Sequence, residues 1–311
     1  MCGIAGIFNF PSADTPPSEQ QLTSMLAAIR YRGPDESGLY LGNKIGLGNV
    51  RLSIIGLSSG QQPITVRNRR YWIVYNGELF NYIEIKRELE ALGIEFHTQT
   101  DTEVVLQAYA QWGPACLQQF VGQFAIAIWD NDRQELFLAR DRVGIRPIFF
   151  TRTGSQFIFC SEIKGIFQVP GVRKAVNHKG LSQIFTFWTT ITPDTPFEDI
   201  FEVSPGHYML VNDQSVSSHR YWSLGFPAPE NYSRKSTDES VEELRGLFRD
   251  AVKVRLRADV EVAAYLSGGI DSSVTTAFIH EVEPGVLNTF SIGFKDKAFD
   301  ETAFQLEAAR Y

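Results

Sequence analysis

Met1-Cys2-Gly3-Ile4-Ala5-Gly6-Ile7-Phe8 opens the chain, and this stretch decides the fold of the residues that follow. Small and apolar residues alternate as far as about Asn9, a pattern that predicts a buried β-strand. If Met1 is removed, Cys2 carries a thiol and a free α-amine on one residue. An α-amine has a pKa of roughly 7.7–8.0 and a free thiol one of about 8.5, so the amine can accept the proton of its own thiol near neutral pH. The opening therefore predicts a cysteine nucleophile beside a strand, with a chance cysteine as the alternative.

Length, composition and charge exclude several classes of protein. The 311 residues favour about two domains, and 43% hydrophobic with 21% charged residues is ordinary for a globular protein. The net charge of −7, without a basic patch, argues against nucleic-acid binding. The three cysteines are too few for a disulfide framework and fit a reducing compartment. The apolar opening is too short for a signal peptide or a membrane span, so we expect a cytoplasmic protein.

The first two thirds of the chain predict strands with a few helices between them. Residues 18–29 predict a helix, because Ser18-Glu19-Gln20-Gln21 resembles a capping box and apolar residues follow at helical spacing. Hairpins are expected around the turns at 130–133 and 154–155. Further strands are predicted at 39–41, 45–50 and 71–75, and helices at 83–92 and 102–112. This mixture indicates an α+β fold with sheets covered by helices.

The composition changes at residues 223–235, where prolines, a glycine and charged residues predict a linker. A capping box at Ser236-Thr237-Asp238-Glu239 then opens an amphipathic helix. A strand at 260–266, a glycine-rich loop at 267–273, a helix at 274–282 and a strand at 287–292 follow. This order implies a parallel sheet, and such a sheet needs more strands to bury its faces. We therefore expect the second domain to be incomplete at Tyr311, as a fragment or with the rest on another chain.

Polar residues near the predicted strands of the first domain suit an amino-acid ligand. Asn76 offers a side-chain amide and Gly77 a backbone N–H to a developing oxyanion. Arg51 can hold a carboxylate with two hydrogen bonds, and Glu78 and Asp101 can accept hydrogen bonds from an ammonium group. The ordinary alternatives are an Asn-Gly turn, a helix cap at Asp101 and a surface ion pair at Arg51.

The loop Leu266-Ser267-Gly268-Gly269-Ile270-Asp271-Ser272-Ser273 predicts a site for nucleotide phosphates. A strand, a glycine-rich turn and a helix N-terminus together form a cradle for an anion. The hydroxyls of Ser267, Ser272 and Ser273 can donate to phosphate, and Asp271 can bind Mg²⁺. The loop lacks the Gly-Lys-Ser/Thr ending of a Walker loop, and a plain turn is the alternative.

The segment Asp141-Arg142-Val143-Gly144-Ile145-Arg146-Pro147 is rich in charge. We expect Asp141, Arg142 and Arg146 to form ion pairs that shape the wall of the active site, a structural rather than a chemical role. Cys116 and Cys160 are expected to be buried structural thiols.

These motifs together make the chain similar to the glutamine-dependent asparagine synthetase family. The resemblance covers essentially the whole chain and is carried, in order, by Cys2-Gly3-Ile4, Arg32-Gly33-Pro34-Asp35, Arg51-Leu52-Ser53-Ile54, Asn76-Gly77-Glu78, Thr100-Asp101-Thr102-Glu103, the segment at 141–147, Ser204-Pro205-Gly206-His207 and the loop at 267–272. It implies an α+β N-terminal-nucleophile αββα sandwich, followed by a partial α/β Rossmann-like nucleotide-binding domain. The corresponding domains are a class II glutamine amidotransferase at 2–222, a linker at 223–235 and an ATP-pyrophosphatase-type synthetase domain at 236–311 that is incomplete at its C-terminus.

The resemblance also implies the chemistry and the site residues. Cys2 would attack the glutamine amide, Asn76 and Gly77 would form the oxyanion hole, and glutamine would be held by Arg51, Glu78 and Asp101. ATP with Mg²⁺, the metal on Asp271, would contact Leu266, Ser267, Gly268, Gly269, Asp271, Ser272 and Ile292. Ammonia would pass through an internal tunnel to an adenylated aspartate and give asparagine, AMP and pyrophosphate. The partners would be the small molecules glutamine, aspartate and ATP, without a membrane or nucleic acid, and a homodimer is compatible with the family.

Two other functions stay open at this point. The same plan can amidate a different carboxylate, because the family residues that complete the ATP and aspartate sites lie downstream of residue 311. The chain can also be a truncated glutaminase or a glutamine-binding module without transfer activity. Other amidotransferases with an N-terminal cysteine share the first domain, but the Ser-Gly-Gly-Ile-Asp-Ser loop argues against them because they do not adenylate their acceptor.

Overall fold

The structure is a computed structural model that describes residues 1–13 and 15–310. Asp14 lies outside the described residues, and so does Tyr311, the predicted end of the second domain. The chain divides into two compact units, Met1–Leu224 and Gly225–Tyr311. Within the described part of the chain, no helix is both long enough and apolar enough to cross a membrane.

Two six-stranded sheets are built from the described residues of the first unit. Their strands are, along the chain, β1 (Gly3–Asn9), β2 (Glu36–Leu41), β3 (Ile45–Arg51), β4 (Ile64–Val66), β5 (Tyr71–Leu79), β6 (Gly122–Asp130), β7 (Glu135–Arg140), β8 (Phe149–Thr153), β9 (Gln156–Cys160), β10 (Ile200–Glu202), β11 (His207–Val211) and β12 (Val216–Arg220). The first sheet has the order β10-β8-β9-β1-β3-β2 and the second the order β12-β11-β7-β6-β5-β4. The predicted strands and both predicted hairpins are therefore confirmed, with boundaries shifted by a few residues.

Helices cover the outer faces of these two sheets. They are α1 (Glu19–Ala28), α2 (Tyr82–Ala91), α3 (Asp101–Trp112) and α4 (Ile163–Ile166). A further helix, α5 (His178–Phe187), contributes no residue to the apolar clusters of the described residues, and its Phe185 and Phe187 are exposed. Leu22 and Met25 of α1 pack with the first sheet, and α2 and α3 pack with the second. A third apolar cluster, which includes Ile4, Val74 and Trp129, fills the space between the sheets. The layers run helix, sheet, sheet, helix, so the predicted αββα sandwich is confirmed.

The first strand is central because its sequence suits a position between two neighbours. All seven residues of β1 are buried, and the strand pairs antiparallel with β3 on one side and β9 on the other. A Cβ on Gly6 would lie 2.3 Å from the ring of Phe159, so this close approach requires glycine. The helix that follows begins as predicted, because the Ser18 side chain accepts a hydrogen bond from the N–H of Gln21.

The second unit contains α6 (Thr237–Arg255), β13 (Ala264–Tyr265), α7 (Ile270–Val282), β14 (Thr289–Phe290) and α8 (Thr302–Ala308). The capping box of Ser236 and Glu239 is present at the start of α6, and β13 and β14 pair in parallel, both as predicted. The strands expected at 260–266 and 287–292 are wrong in length, since each has two residues. Among the described residues each of these strands has one neighbour, so only a short ladder of hydrogen bonds holds it. The helix expected from 274 begins earlier, at Ile270, directly after Gly269.

Candidate active site

The Cys2 side chain lies at one end of β1, beside the chain that leaves β3. Gly3 pairs with Val50, so Cys2 faces the segment that starts at Arg51. The backbone N–H of Leu52 donates to Sγ of Cys2, with 3.4 Å between N and S. Burial raises the pKa of the Cys2 thiol, while the Leu52 N–H, the terminal amine and Arg51 oppose the rise. The resting thiol is therefore protonated at neutral pH and needs a base before it can act as a nucleophile.

One cavity brings together the six residues assigned by sequence to the first domain. It is lined by Met1, Cys2, Arg51, Leu52, Ile54, Ile55, Gln62, Tyr75, Asn76, Gly77, Glu78, Thr100, Asp101, Thr102 and Arg146. These residues come from the chain just before β1, the end of β3 and the loop after it, β5, the N-terminus of α3 and the loop that carries Arg146, so both sheets contribute. With Met1 in place the free volume is about 30 Å³, which holds one or two water molecules.

Asn76 and Gly77 lie next to each other in β5 and are held there by pairing with β6. The Asn76 side chain is 1% exposed, and its Nδ2 has no hydrogen-bond partner among the described residues. A Cβ on Gly77 would lie 2.3 Å from the carbonyl oxygen of Gln123, so the two strands approach this closely only with glycine. A buried donor without a partner is costly, and it is suited to an oxygen that gains negative charge during a reaction.

Asp101 is the first residue of α3, while Thr100 occupies the N-cap position and accepts from the N–H of Thr102. The alternative that Asp101 only caps the helix is therefore wrong. Its Oδ2 accepts from the Tyr75 hydroxyl at 3.1 Å and from the Leu79 N–H at 3.0 Å. Burial raises the pKa of Asp101 to about 6, against the lowering effect of these two donors. The carboxyl is ionised at neutral pH and can accept hydrogen bonds from a cationic ligand.

Arg51 has a buried guanidinium group that already holds the neighbouring loop. Its Nη1 donates to Oε2 of Glu36 at 2.9 Å, and its Nη2 donates to the carbonyl oxygens of Ile55 and Gly56 at 3.0 and 2.9 Å. With 3% of the residue exposed, the alternative of a surface ion pair is wrong. A ligand carboxylate at Arg51 has to join or displace these three acceptors. Glu78 lines the same cavity as a second carboxylate beside Asp101.

Four polar residues of the cavity were given no role in the site from the sequence: Gln62, Tyr75, Thr100 and Thr102. Gln62 Oε1 accepts from the backbone N–H of Tyr75 at 2.7 Å, and its Nε2 donates to Oγ1 of Thr102 at 3.3 Å. Gln62 thus joins β5 to α3, and the Tyr75 hydroxyl holds Asp101. Tyr75 precedes Asn76 directly, which was a usable signal, whereas no local pattern marks Gln62.

The charged segment at 141–146 is built differently from the prediction. Within the described residues, none of Asp141, Arg142 and Arg146 has an ion-pair partner inside 4.0 Å. The expectation of ion pairs is therefore wrong, because the buried Asp141 carboxylate accepts from backbone N–H groups instead. The expectation that the segment shapes the site is confirmed for Arg146, which lines the cavity.

In the second unit, the predicted nucleotide residues gather at one edge of the parallel strand pair. Tyr265 pairs with Phe290, and the Leu266 N–H donates to the Phe290 carbonyl at 2.9 Å. Leu266 and Ile292 therefore both follow the carboxyl ends of their strands. Leu266 is buried, and Ile292 is exposed.

The loop between β13 and α7 turns sharply at Gly268, whose φ is +84°. The hydroxyl oxygens of Ser267 and Ser272 lie 3.0 Å apart, and Ser267 Oγ also accepts from the Gly269 N–H. Asp271 lies in the first turn of α7. The described residues contain no group of three or more His, Cys, Asp or Glu side chains that could hold a metal ion. A metal at Asp271 would therefore need ligands from a bound anion.

Two family models match the chain. The model described as glutamine amidotransferase domain matches residues 1–222, and the one described as asparagine synthase matches residues 243–311. The first model covers more than half of the chain, so the chain belongs to the glutamine amidotransferase domain family.

Curated relatives match both units together. The chain is 38% identical to asparagine synthetase [glutamine-hydrolyzing] 3 of Bacillus subtilis, over 98% of this chain and 50% of that protein. It is 35% identical to amidase chry2 of Gibberella zeae, over 92% of this chain and 44% of that protein. The chain thus spans about half the length of these curated relatives. Among solved structures, glutamine phosphoribosylpyrophosphate amidotransferase of B. subtilis matches with a TM-score of 0.54 at 20% identity, covering 96% of this chain and 68% of that one, which supports the fold alone.

Proposed function

Because the chain belongs to the glutamine amidotransferase domain family over residues 1–222, we propose that it hydrolyses glutamine at Cys2. Sγ would attack the side-chain amide carbon, and the Asn76 Nδ2 and Gly77 N–H groups would stabilise the resulting oxyanion. The observation that carries this proposal is the buried Nδ2 of Asn76, which has no partner among the described residues and belongs to a residue that lines the cavity of Cys2.

Charge complementarity supports the same substrate. Arg51 would hold the α-carboxylate of glutamine, and Glu78 with Asp101 would hold its α-ammonium. The pKa of about 6 leaves Asp101 ionised at neutral pH, as an ammonium ligand requires. The cavity around the thiol holds two cations, Arg51 and Arg146, and two carboxylates. Arg51 and the two carboxylates match the opposite charges of an amino acid that carries a reactive amide in its side chain.

We further propose that Met1 is removed before the chain becomes active. Met1 lines the cavity, and the free volume of about 30 Å³ is far too small for glutamine. Removal would open this space and would expose the α-amine of Cys2. The amine would take the thiol proton, directly or through one water, and Sγ would form a thioester while ammonia leaves with that proton. Water would then hydrolyse the thioester and release glutamate.

The second unit supports a synthetase role at 236–311, with residues 223–235 as the linker after an amidotransferase domain at 2–222. Its support is the asparagine synthase match at 243–311 and the parallel β13–β14 pair, which would be the start of a Rossmann-like sheet. The ammonia released at Cys2 would then be passed to aspartate, activated by ATP, to give asparagine, AMP and pyrophosphate. A homodimer stays a prediction from the resemblance, and a cytoplasmic location stays a prediction from the sequence.

The loop at 267–272 has the features that ATP phosphates need. The N-terminus of the 13-residue helix α7, the positive φ of Gly268 and the paired hydroxyls of Ser267 and Ser272 form the cradle, with Gly269 at its base. Leu266 and Ile292 would flank the nucleotide. Asp271 would hold Mg²⁺, since this ion is usually bound by one or two carboxylates together with substrate phosphates. The ion would neutralise phosphate charge when bound.

A second acceptor is supported by the relative named amidase chry2, which resembles the chain almost as closely as the synthetase does. The same two-domain plan would then amidate a carboxylate other than aspartate. Aspartate-dependent release of AMP by the protein favours asparagine synthesis. AMP release that ignores aspartate but follows another carboxylic acid favours the second acceptor, and formation of ADP would contradict adenylation.

The first reaction is tested by glutamate release from glutamine. We expect release by the chain and none by Cys2→Ala, while Cys116→Ala serves as a control because Cys116 is buried outside the cavity. Mass spectrometry checks the removal of Met1 in each protein. Glutamine that raises the melting temperature without any glutamate release would favour a binding module instead.

A further inference from the structure

We propose that Arg146 is a positioning residue that keeps the α-amine of Cys2 in its neutral, proton-accepting form once Met1 has been removed. The inference rests on the proposed glutaminase reaction, in which that amine is the base. It assigns a function to a cation that the sequence suggested was merely structural.

The backbone that carries Arg146 is fixed by one buried carboxylate. Asp141 is fully buried. Its two oxygens accept hydrogen bonds, at 2.7 to 3.2 Å, from the N–H groups of Phe124, Val143, Gly144, Ile145 and Arg146. From the other side, the guanidinium of Arg140 donates to the carbonyl oxygens of Arg146 at 3.0 Å and of Gly144 at 2.7 Å. The Arg146 side chain therefore starts from a rigid base and is 9% exposed.

The guanidinium of Arg146 contacts the side chain of Met1, the residue before Cys2. Its Nη1 contacts Sδ of Met1, its Nε has no hydrogen-bond partner among the described residues, and the side chain lines the cavity of Cys2. No carboxylate of the described residues lies within 4.0 Å of it, as noted above. Removal of Met1 would end the Sδ contact and leave the terminal amine on Cys2, which lines the same cavity as Arg146.

The other charges around the terminus are largely compensated. Arg32 donates through Nε to the Cys2 carbonyl at 2.9 Å and pairs through Nη1 with Glu162 at 2.8 Å. Arg51, near the thiol, pairs with Glu36. The negative groups that face the terminus or the thiol are Glu78, Asp101 and the Cys2 thiolate. Among the described residues near the terminus, Arg146 is thus a cation without a carboxylate partner.

The shift in the pKa of the terminal amine agrees with this geometry. The pKa of the terminal amine of the unprocessed chain is lowered, first by burial and then by Arg146 and Arg32, against the raising effect of Cys2 and Glu78. A neighbouring positive charge disfavours protonation of an amine. The same charge would hold the Cys2 amine free of its proton at a pH where an ordinary terminus is still largely protonated.

The test compares Arg146→Gln and Arg146→Lys with Arg142→Gln, a control that removes one positive charge from the same segment but does not line the cavity. The readout is the pH dependence of kcat/KM for glutamine hydrolysis, in chains whose Met1 removal is checked by mass spectrometry. In Arg146→Gln we expect the acidic limb to move to higher pH by about one unit, with near-normal rates at high pH. Arg146→Lys should return the acidic limb to its wild-type pH, and Arg142→Gln should leave the limb at that pH.

A second measurement separates this inference from the proposed function. The pKa of the ¹⁵N-labelled terminal amine is read by NMR, which requires a folded chain but no activity. A rise of that pKa in Arg146→Gln supports the inference even if no variant releases glutamate, in which case only the proposed reaction fails. An unchanged amine pKa, or a rate that falls equally at every pH, overturns it and leaves Arg146 a structural role. A thermal melt confirms that each variant is folded.

Discussion

Replacement of Asn76 by alanine should reduce catalysis without reducing stability, which is unusual for a buried polar residue. Its Nδ2 has no hydrogen-bond partner among the described residues, so the folded chain loses no hydrogen bond from that donor when the side chain is cut back. An unpaired buried donor costs about 1–3 kcal/mol, which is relieved by the substitution and offsets the packing that is lost. We therefore expect the free energy of unfolding of Asn76→Ala to stay within about 1 kcal/mol of the wild-type value.

The catalytic loss should be much larger than the change in stability. One oxyanion donor is worth about 10²–10³ in kcat, since it binds the oxygen most strongly when that oxygen is charged. The assay measures glutamate release at saturating glutamine, and urea unfolding of the same preparation gives the stability. We expect KM to change little, because Arg51, Glu78 and Asp101 remain.

Asn49 provides the matched control, as a second asparagine that is 1% exposed. Its Nδ2 donates to the carbonyl oxygens of Gly3 and Tyr75, at 3.3 and 3.4 Å, and so connects the two sheets. Its Oδ1 has no hydrogen-bond partner among the described residues, so the control differs from Asn76 in its donor. Asn49→Ala should lose about 1–2 kcal/mol of stability and less than tenfold in kcat. A folded Asn76→Ala variant whose kcat falls less than tenfold, or whose KM alone changes, would refute the assignment of Asn76 to the oxyanion hole.

Three further outcomes follow from single residues. Because the pKa of Asp101 is about 6, its carboxylate takes up a proton as the pH falls through 6, and KM for glutamine should rise below that pH. In Asp101→Asn, KM should be high and independent of pH between about 5 and 7, as steady-state assays would show. Gly77→Ala places a Cβ 2.3 Å from the Gln123 carbonyl oxygen, so it should lower both the melting temperature and kcat, with a stability loss of about 2 kcal/mol or more by urea unfolding; an unchanged melting temperature would contradict this. Ser236→Ala removes the capping box of α6 and should cost about 1 kcal/mol there, seen as faster amide exchange in Thr237–Arg255 with unchanged glutamate release.

The elements that could be predicted are those whose burial leaves a local pattern. β1 alternates small and apolar residues because it lies between two strands and two layers, and α1 shows a cap at Ser18 followed by apolar residues at helical spacing. The edge strand β12 was missed because four of its five residues are exposed and its sequence is mostly polar. The lengths of β13 and β14 were overestimated, because the apolar residues around them predict longer strands. In the described sheet each of the two strands has two residues.

Some site residues could be predicted from the sequence and others could not, because only some of them occur in a local pattern. Asn76, Gly77, Glu78 and Asp101 occur in short motifs, and the structure brings them to the cavity of Cys2. Arg146 looked like a partner for Asp141 because the two charges lie close in sequence. The structure satisfies Asp141 with backbone N–H groups, a pairing that residue types cannot reveal, and this leaves the Arg146 charge facing the cavity.

The proposed nucleophile and the proposed oxyanion hole belong to different sheets, so the apolar core between the sheets would fix their relative position. Cys2 precedes β1 of the first sheet, whereas Asn76 and Gly77 lie in β5 of the second. Ile4 and Phe8 of β1 pack against Val74 of β5 and Trp129 in the apolar layer that separates the two sheets. Since protein interiors are densely packed, a change of volume in this layer shifts one sheet against the other. An oxyanion donor has to lie within a few tenths of an ångström of its ideal distance, so sandwich packing sets the geometry of catalysis as well as the stability of the fold.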